Sequence, residues 1–512
     1  MQPIRLIAGF FTVGAWTMLS RVFGFLRDIL LAAKLGDGPV AEAFVVAFSL
    51  PNMFRRFFAE GAFNMAFVPM FSRKLEGERD AIGFARDAFS GLAGLLIVFT
   101  LLAQIAMPWL VLAMASGFAG DVRFGLATEF GRIAFPYILF ISLAALLSGV
   151  LNATGRFAAA AAAPVLLNLT LIGAMVGADQ AGWDVGLALA WGAPVAGIAQ
   201  LALVWLAAAR AGFRLIPRMP RLTPELKRLA VIAAPAMLAG GVMQINLIVG
   251  RQVASYFDGA IQYLNLADRL YQLPLGVVAI AIGVVLLPDL SRKLEADDTA
   301  GGRAAFNRAT EFALLLTVPA AVALIVIPQP VVSVLFERGA FDAEAVAATA
   351  TVTAIYGAGL PAFVLQKVLQ PLFFARSDTV TPFRCAVAAM VVNAVLAIGL
   401  APLIGFTAAA WATTLAGWAM VALLWWASRP LGAAAELDAR LRRRLLRILG
   451  ASAAMGALLV AVDAALGASL YQETLRYLAL IALIGAGLIG YATAALVVGA
   501  ASVEDLRRAL RR

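Results

Sequence analysis

The sequence contains no histidine among its 512 residues. This absence removes the commonest zinc ligand and the usual general base at neutral pH, which disfavours most hydrolytic enzymes and metalloenzymes. A single cysteine, Cys385, excludes any disulfide bond within the chain. Charged residues make up only 14% of the chain, well below the share usual in soluble proteins. No metal-ligand cluster, nucleotide-binding loop or hydrolytic motif stands out, so we expect no bound metal, no cofactor and no catalytic residues.

Long apolar runs dominate the sequence instead. Hydrophobic residues make up 62% of the chain and the mean hydropathy is +0.91, a composition typical of a polytopic membrane protein. The first run lacks the charged start and the cleavage site of a secretory signal, so we expect it to stay as a membrane helix. Runs of about 20 or more apolar residues, the length that crosses a bilayer, predict fourteen transmembrane helices. The predicted spans lie near residues 7–33, 41–71, 88–114, 125–152, 157–177, 185–209, 229–256, 261–290, 309–327, 343–375, 380–402, 405–427, 445–466 and 474–500.

Basic residues collect in alternate loops between these predicted spans. The chain carries a net charge of +10, and the cytoplasmic loops of membrane proteins are enriched in Lys and Arg. The loops after the second, sixth, eighth and twelfth spans and the C-terminal tail are rich in both, whereas residues 178–184, 401–404 and 467–473 contain neither. This alternation predicts that both termini are cytoplasmic. Because topology explains the positive charge, we expect no nucleic acid among the partners.

A short repeat divides the chain. The sequence PMFSRKLE at residues 69–76 recurs as PDLSRKLE at residues 288–295, each time at the end of a long apolar run. Together with the helix count, the repeat predicts an all-α membrane protein with two six-helix halves in parallel and an additional C-terminal helix pair. Transporters built in this way bind substrate between their halves and work by alternating access. The predicted domains are residues 1–215, 216–430 and 431–512.

Four arginines, Arg21, Arg27, Arg55 and Arg269, lie well inside predicted spans. An arginine at the centre of a span costs about 2.5 to 3.5 kcal/mol on insertion scales, so four cost on the order of 10 kcal/mol. Few membrane-embedded acids are available to neutralise them, so we expect them to face a water-filled cavity rather than to reach the lipid headgroups. A planar guanidinium binds phosphate oxygens through paired hydrogen bonds and stays charged, which favours a phosphate or pyrophosphate as cargo.

Two features near these arginines can each be interpreted in more than one way. Gly24 lies between Arg21 and Arg27, where it could bend the helix, admit a ligand to the backbone or permit close packing of another helix. Arg56 and Glu60 are four residues apart on the second span and could pair with each other instead of facing a cavity.

At these residues the sequence resembles the MurJ (MviN) family, the lipid II flippases of bacterial peptidoglycan synthesis. The shared motifs extend over the first twelve predicted spans, and the last pair matches in position and apolar character only. The motifs are SRVFGFLRD at 20–28, LPNMFRRFFAEGAF at 50–63, FPYI at 135–138, ADRLYQLPLGV at 267–277 and KVLQPLFFARSDTVTP at 367–382.

The resemblance implies a fold of the multidrug/oligosaccharidyl-lipid/polysaccharide exporter superfamily in the bacterial cytoplasmic (inner) membrane. It implies that the protein flips lipid II, the undecaprenyl-pyrophosphate-linked precursor, from the inner to the outer leaflet, with the last helix pair forming an apolar groove for the polyprenyl tail. Membrane lipids are expected partners, and cell-wall synthesis proteins are further candidates. The implied substrate-binding residues are Arg21, Arg27, Arg55, Arg269, Ser20, Asn52, Glu60 and Asp268, and Glu42 is implied at the outer gate.

The chain departs from some relatives at positions that bear on its driving force. Relatives thought to bind Na⁺ use carboxylates on the seventh and eleventh spans, where this chain has Gly250 and Ala397. The loss of two charges should weaken a cation site, although Asn393, Thr413 and Thr414 offer oxygen atoms. Either Na⁺ or the membrane potential could drive transport, and the sequence does not decide between them. A position that is often acidic on the eighth span is Gln272 here, which would replace an ion pair with a neutral hydrogen bond.

Three alternative functions remain open at this point. A flippase for another polyprenyl-linked glycan would need the same cations, because its substrate also carries phosphate or pyrophosphate. A drug or cation exporter of the same superfamily should instead line its cavity with acids. A membrane enzyme that processes glycolipids would need a general base or metal site facing the outside, which the short outer loops do not offer.

Overall fold

The computed structural model consists of α-helices joined by short connections. It describes residues 3–56, 62–77, 80–296, 298–472 and 474–501, and within these ranges no β-strand forms. The described residues form seventeen α-helices: α1 Pro3–Leu35, α2 Pro39–Arg55, α3 Ala62–Glu76, α4 Ala81–Met114, α5 Val122–Ala134, α6 Tyr137–Ala153, α7 Ala158–Ala181, α8 Val185–Arg210, α9 Pro224–Ala254, α10 Ala260–Glu295, α11 Thr299–Val326, α12 Pro328–Phe336, α13 Ala343–Phe374, α14 Val380–Ile404, α15 Thr407–Ser428, α16 Ala439–Leu466 and α17 Arg476–Val497.

Ten helical stretches of the described residues are long and apolar enough to cross a membrane. One of them joins α5 and α6 across Pro136. The prediction of an all-α polytopic membrane protein is therefore confirmed. Each of the fourteen predicted spans coincides with a helix or a helix pair, but the first, second, seventh and eighth are not among the ten. These four carry the embedded arginines or adjoin them in sequence, and the count of fourteen spans stays a prediction.

Several of the chain's aspartates lie at the starts of helices. Five helices begin after an aspartate whose side chain accepts a hydrogen bond from the backbone N–H three residues later. Such a cap stabilises a helix by about 0.5 to 2 kcal/mol. Acids in caps lie at the ends of helices, so they do not neutralise arginines deeper in the spans. The five caps are Asp80, Asp184, Asp298, Asp342 and Asp438.

The helices pack as two compact units. The first comprises Met1–Gln262 with Arg338–Phe341, and the second comprises Tyr263–Glu337 with Asp342–Arg512. Helix α9 thus packs with the first unit, against α3 and α4. The predicted domain boundaries after residues 215 and 430 follow the sequence repeat and stay predictions.

Loops that follow odd-numbered predicted spans meet at one end of the first unit. The Lys34 ammonium lies 2.5 Å from the Asp179 carboxylate, which joins the ends of α1 and α7. The backbone N–H of Gly117 donates to Ser255 Oγ at 2.9 Å, which joins the segment after α4 to the end of α9. Alternate loops must lie on one side of a membrane, and these contacts agree with that requirement.

The segment between the sixth and seventh predicted spans is docked on the opposite end of this unit. Arg218 Nε donates to Asp87 Oδ1 at 2.7 Å, and the Arg218 backbone N–H donates to Ser90 Oγ at 3.0 Å. Lys74, after the second span, lies 2.5 Å from Glu225 at the start of α9. The basic loops that follow the second and sixth predicted spans therefore lie at this end, where acidic side chains form ion pairs with them.

In the second unit a buried carboxylate attaches the additional helix pair. Glu311 on α11 accepts a hydrogen bond from Arg308 at 2.9 Å and also contacts Arg440 and Arg444 on α16. Arg308 in turn contacts Asp438, the residue that caps α16. The pairing of several guanidiniums with one nearly buried carboxylate fixes α16 against α11.

Candidate functional site

The predicted site residues are divided between the two units. The first unit contains Ser20, Arg21, Arg27, Glu42, Asn52 and Arg55, and the second contains Asp268 and Arg269. Glu60 lies outside the described residues.

Helix α1 presents two arginines in different surroundings. Arg21 is exposed, whereas Arg27 is half-buried. Two Arg27 nitrogens, Nη2 and Nε, donate to Asp28 Oδ1 at 2.7 and 3.1 Å. Its third nitrogen, Nη1, donates to Asn168 Oδ1 on α7 at 3.1 Å. The guanidinium is therefore oriented by a carboxylate and an amide on two helices.

Asn168 also holds the backbone of α1, and the sequence had not marked it as a site residue. Its Nδ2 donates to the Ser20 carbonyl at 3.0 Å. A Cβ at Gly24 would lie 3.4 Å from this Nδ2, an ordinary van der Waals distance, so α7 packs beside Gly24 without requiring a glycine there. The sequence signal for Asn168 was an amide side chain within an apolar span. Such a signal is not specific to a site, because polar residues in membrane helices often hydrogen-bond between helices.

Helix α2 carries Asn52 and Arg55 near its C-terminal end. Asn52 Nδ2 donates to the Phe48 carbonyl at 2.8 Å, one turn earlier. The Arg55 side chain is half-buried. Pro51 lies inside the helix, one residue before Asn52. The helix begins after Gly38, with Pro39 in its first turn, a position where the missing N–H has no helical partner.

Glu42, at the start of α2, is the centre of an ion cluster. It is 1% exposed, and its Oε2 accepts a hydrogen bond from Arg123 Nη1 at 2.8 Å. Its Oε1 accepts from the backbone N–H of Ile261 at 3.0 Å. Arg123 also donates to Asp121 at 2.6 Å and lies 3.1 Å from Asp258. Burial of a charge is costly unless it is paired, and here both charges have partners.

The residues around Glu42 come from two separate places in the chain. Arg123 opens α5, and Asp258 and Ile261 flank the start of α10. Asp121 caps α5, and although partial burial raises the pKa of its carboxyl, hydrogen bonds from the Arg123 backbone and side chain lower it overall. These partners were not predicted from the sequence. Charged residues are common in loops beside apolar spans, so Asp121, Arg123 and Asp258 did not stand out.

Helix α10 carries Asp268 and Arg269, the two predicted site residues of the second unit. Gln272 Nε2 donates to the Asp268 carboxylate one turn earlier. Arg269 is half-buried on the same helix. An acidic residue at position 272 could not form an ion pair with this carboxylate, so the observed bond is not the expected replacement of an ion pair.

Two of the three oxygen-bearing side chains considered for a cation site donate hydrogen bonds to backbone carbonyls. The hydroxyl of Thr413 donates to the Ala409 carbonyl at 2.9 Å, and that of Thr414 donates to the Ile355 carbonyl at 3.0 Å. Ala397 and Asn393 are buried on α14. A search of the described residues finds no group of three or more His, Cys, Asp or Glu side chains that could hold a metal ion.

Comparisons with known proteins agree on one family. A family model described as "Lipid II flippase MurJ" matches residues 31–486. A protein of Rhizobium meliloti (strain 1021) named "Probable lipid II flippase MurJ" is 45% identical over 519 residues, covering 99% of this chain and 97% of that protein.

Solved structures share the fold. One titled "Lipid II flippase MurJ, inward closed conformation" matches with a TM-score of 0.79 at 24% identity, covering 98% of this chain and 99% of that chain. An inward-facing multidrug resistance MATE family transporter of the MOP superfamily matches with a TM-score of 0.62 at 15% identity, covering 83% and 98%. At such identities these two matches establish the fold alone.

Proposed function

Since this chain belongs to the MurJ family of lipid II flippases, we propose that it moves lipid II from the inner to the outer leaflet of the bacterial cytoplasmic membrane. Membership makes the chain a transporter rather than an enzyme. Lipid II and the surrounding membrane lipids are then its partners, and no covalent change of the substrate is required.

Within this function, Arg21, Arg27, Arg55 and Arg269 bind the pyrophosphate. The observation that carries this assignment is the way Arg27 is held, because Asp28 and Asn168 fix its plane before any ligand arrives. A pre-oriented guanidinium loses less entropy when it binds phosphate oxygens. The proposed substrate-binding site also includes Ser20, Asn52, Glu60 and Asp268.

Transport proceeds by alternating access while the polyprenyl tail stays in lipid. The tail then never enters water, which avoids exposure of a large apolar surface. Exposed apolar side chains on α16 and α17, such as Leu458, Ile481 and Leu488, give this helix pair an apolar surface that the tail can contact. Outward movement of the anionic headgroup is favoured by the membrane potential by about 2.3 kcal/mol per charge per 100 mV.

Glu42 acts as the outer gate residue. Its bonds to Arg123 and to the backbone of Ile261 join α2, α5 and the start of α10 at the end of the first unit. Opening of this end would have to replace these bonds with water. Because an unpaired buried charge is costly, separation of Glu42 from Arg123 requires that water reach both groups.

A leaflet-specific measurement after depletion of the protein tests the function. We expect lipid II to accumulate in the inner leaflet, and reconstituted protein should move unaltered lipid II across vesicle membranes. A covalently altered product would contradict the assignment as a transporter. Equal transport of a different polyprenyl-linked glycan and none of lipid II would favour the alternative flippase, and transport of a cationic drug alone would favour an exporter.

Cysteine labelling tests the proposed orientation, in which both termini are cytoplasmic. In a Cys385→Ser background, a cysteine at exposed Gln180 should react with an impermeant maleimide added to spheroplasts. A cysteine at Met219, which is 84% exposed, should react only after the membrane is permeabilised. The reason is that loops rich in Lys and Arg face the cytoplasm, whereas loops poor in both face the other side of the membrane. Reversal of the two labelling patterns would overturn the orientation.

A further inference from the structure

The linker segment, residues 213–223, presents a row of apolar side chains at the surface of the first unit. It joins α8 to α9 and forms neither helix nor strand. Ile216, Met219 and Leu222 are 61%, 84% and 92% exposed. Exposed apolar side chains that lie together mark a site of contact with a membrane or another molecule.

Proline sets the conformation that brings these side chains onto one side. Pro217 and Pro220 fix their own φ at about −65°, and each restricts the residue before it to extended conformations. At the end of the segment, Thr223 has φ −73° and ψ 155°, which are polyproline II values. A polyproline II helix has three residues per turn, so residues 216, 219 and 222 share a side.

The linker segment folds back along α8 and α4 instead of extending away from them. Trp205 Nε1 donates to the Leu215 carbonyl at 3.3 Å, and Trp205 lies about 7.5 Å before the end of α8. A Cβ at Gly94 would lie 2.9 Å from Pro220 Cγ, so this proline packs on α4 about 20 Å from the start of that helix. The segment therefore runs at the depth of residues that lie inside the third and sixth predicted spans.

Polar contacts hold the linker segment at this depth. Arg218 bonds to the side chains of Asp87 and Ser90 on α4. Farther along α4, the exposed side chains from Leu95 to Ile105 are all apolar. The segment thus lies at the boundary between the charged end of α4 and its apolar surface, which corresponds to the headgroup layer of a membrane.

The charge of this region suits an anionic surface. Residues 210–228 contain six Lys and Arg but one acid, Glu225, which lies 2.5 Å from Lys74. Arg214 and Arg221 are exposed on the same segment as the apolar row. Guanidiniums beside apolar side chains match a phospholipid surface, in which phosphate oxygens lie above acyl chains.

We propose that the linker segment is a membrane anchor that binds anionic phospholipid of the inner leaflet. Ile216, Met219 and Leu222 enter the boundary between headgroups and acyl chains, while Arg214 and Arg221 pair with lipid phosphates. A lipid surface fits better than a soluble protein, which would have to displace headgroups to reach this depth. Because the headgroup layer contains water, Met219→Cys at this depth still reacts with a soluble maleimide. Only the choice of leaflet rests on the proposed orientation.

A fluorophore on the linker segment measures its depth. In a Cys385→Ser background, Leu222→Cys carries a polarity-sensitive fluorophore, and the full-length protein is reconstituted in bilayers of phosphatidylcholine and phosphatidylglycerol. The emission should shift to the blue, and a phosphatidylcholine spin-labelled near its headgroup should quench it more strongly than iodide in the water. Stronger quenching by iodide would place the segment in water, within reach of a soluble partner, and would overturn the proposal.

The same fluorophore measures lipid preference through brominated lipids, which quench on contact. Brominated phosphatidylglycerol should bind beside the label more tightly than brominated phosphatidylcholine. The double variant Arg214→Gln/Arg221→Gln should lower this preference roughly tenfold or more, because each basic side chain near an anionic surface strengthens binding several-fold.

Arg156→Gln is the matched control, since it removes an exposed cation from the loop between α6 and α7 of the same unit. It should leave the lipid preference unchanged. An equal loss in this control would assign the preference to net charge rather than to the linker segment. That result overturns the proposal, and so does a labelled protein that binds both lipids equally. Thermal unfolding shows whether each variant is folded. None of these measurements uses lipid II, so their failure is distinct from failure of the proposed function.

Discussion

Replacement of Arg27 with glutamine should reduce lipid II translocation at least about a hundredfold. A charge-assisted hydrogen bond contributes about 1.5 to 3 kcal/mol, and a guanidinium can offer two to a pyrophosphate, which corresponds to a hundredfold or more. Glutamine retains part of the side-chain length but neither the charge nor the fork. The measurement is the rate of lipid II transfer between leaflets of proteoliposomes at matched protein content.

Two further substitutions separate pyrophosphate binding from support of α1. Arg27→Lys keeps the charge, so it should retain more transport than Arg27→Gln but less than the wild type. Asn168→Ala removes the bonds to Arg27 and to the Ser20 carbonyl while the cation remains, so it should cause a smaller loss. Wild-type transport by a folded Arg27→Gln protein would remove Arg27 from the proposed site. A parallel measurement of thermal unfolding shows whether each variant folds.

Replacement of Arg123 with alanine should cause the largest loss of stability. Glu42 would keep the bond from the Ile261 backbone but would lose its cationic partner while it stays almost fully buried. Removal of one partner of a buried ion pair typically costs about 3 to 5 kcal/mol. Asp121 and Asp258 would lose the same cation, although both are more exposed. Thermal unfolding in detergent should show a clearly lowered midpoint.

The reciprocal variant distinguishes ion pairing from simple packing at this cluster. Glu42→Gln leaves Arg123 beside two other carboxylates, Asp121 and Asp258, so it should destabilise less than Arg123→Ala. The double variant should lose less stability than the sum of the two single losses, because no buried carboxylate is then left without a cation. Strict additivity would indicate that the pair contributes nothing beyond the packing of each side chain.

The positions of the membrane helices could be predicted because apolar length is a local property. Every predicted span coincides with a helix or a helix pair. Breaks within a predicted span and short helices between spans were harder to predict from the sequence. The fourth predicted span is divided into α5 and α6 next to Pro136, and the nine-residue helix Pro328–Phe336 lies between two predicted spans. A helix that short leaves no apolar run long enough to predict a span.

The sequence by itself determined the class of protein, the family motifs and the presence of arginines that need an anion, because composition and spacing act along the chain. Only the tertiary structure decided the partners of those charges. Asn168 reaches Arg27 from 141 residues away, and Glu42 accepts from Arg123 and Ile261 at separations of 81 and 219 residues. Such contacts arise when remote helices pack side by side, and in a membrane the packing depends on the fit of small and polar side chains between helices. No local pattern records that fit.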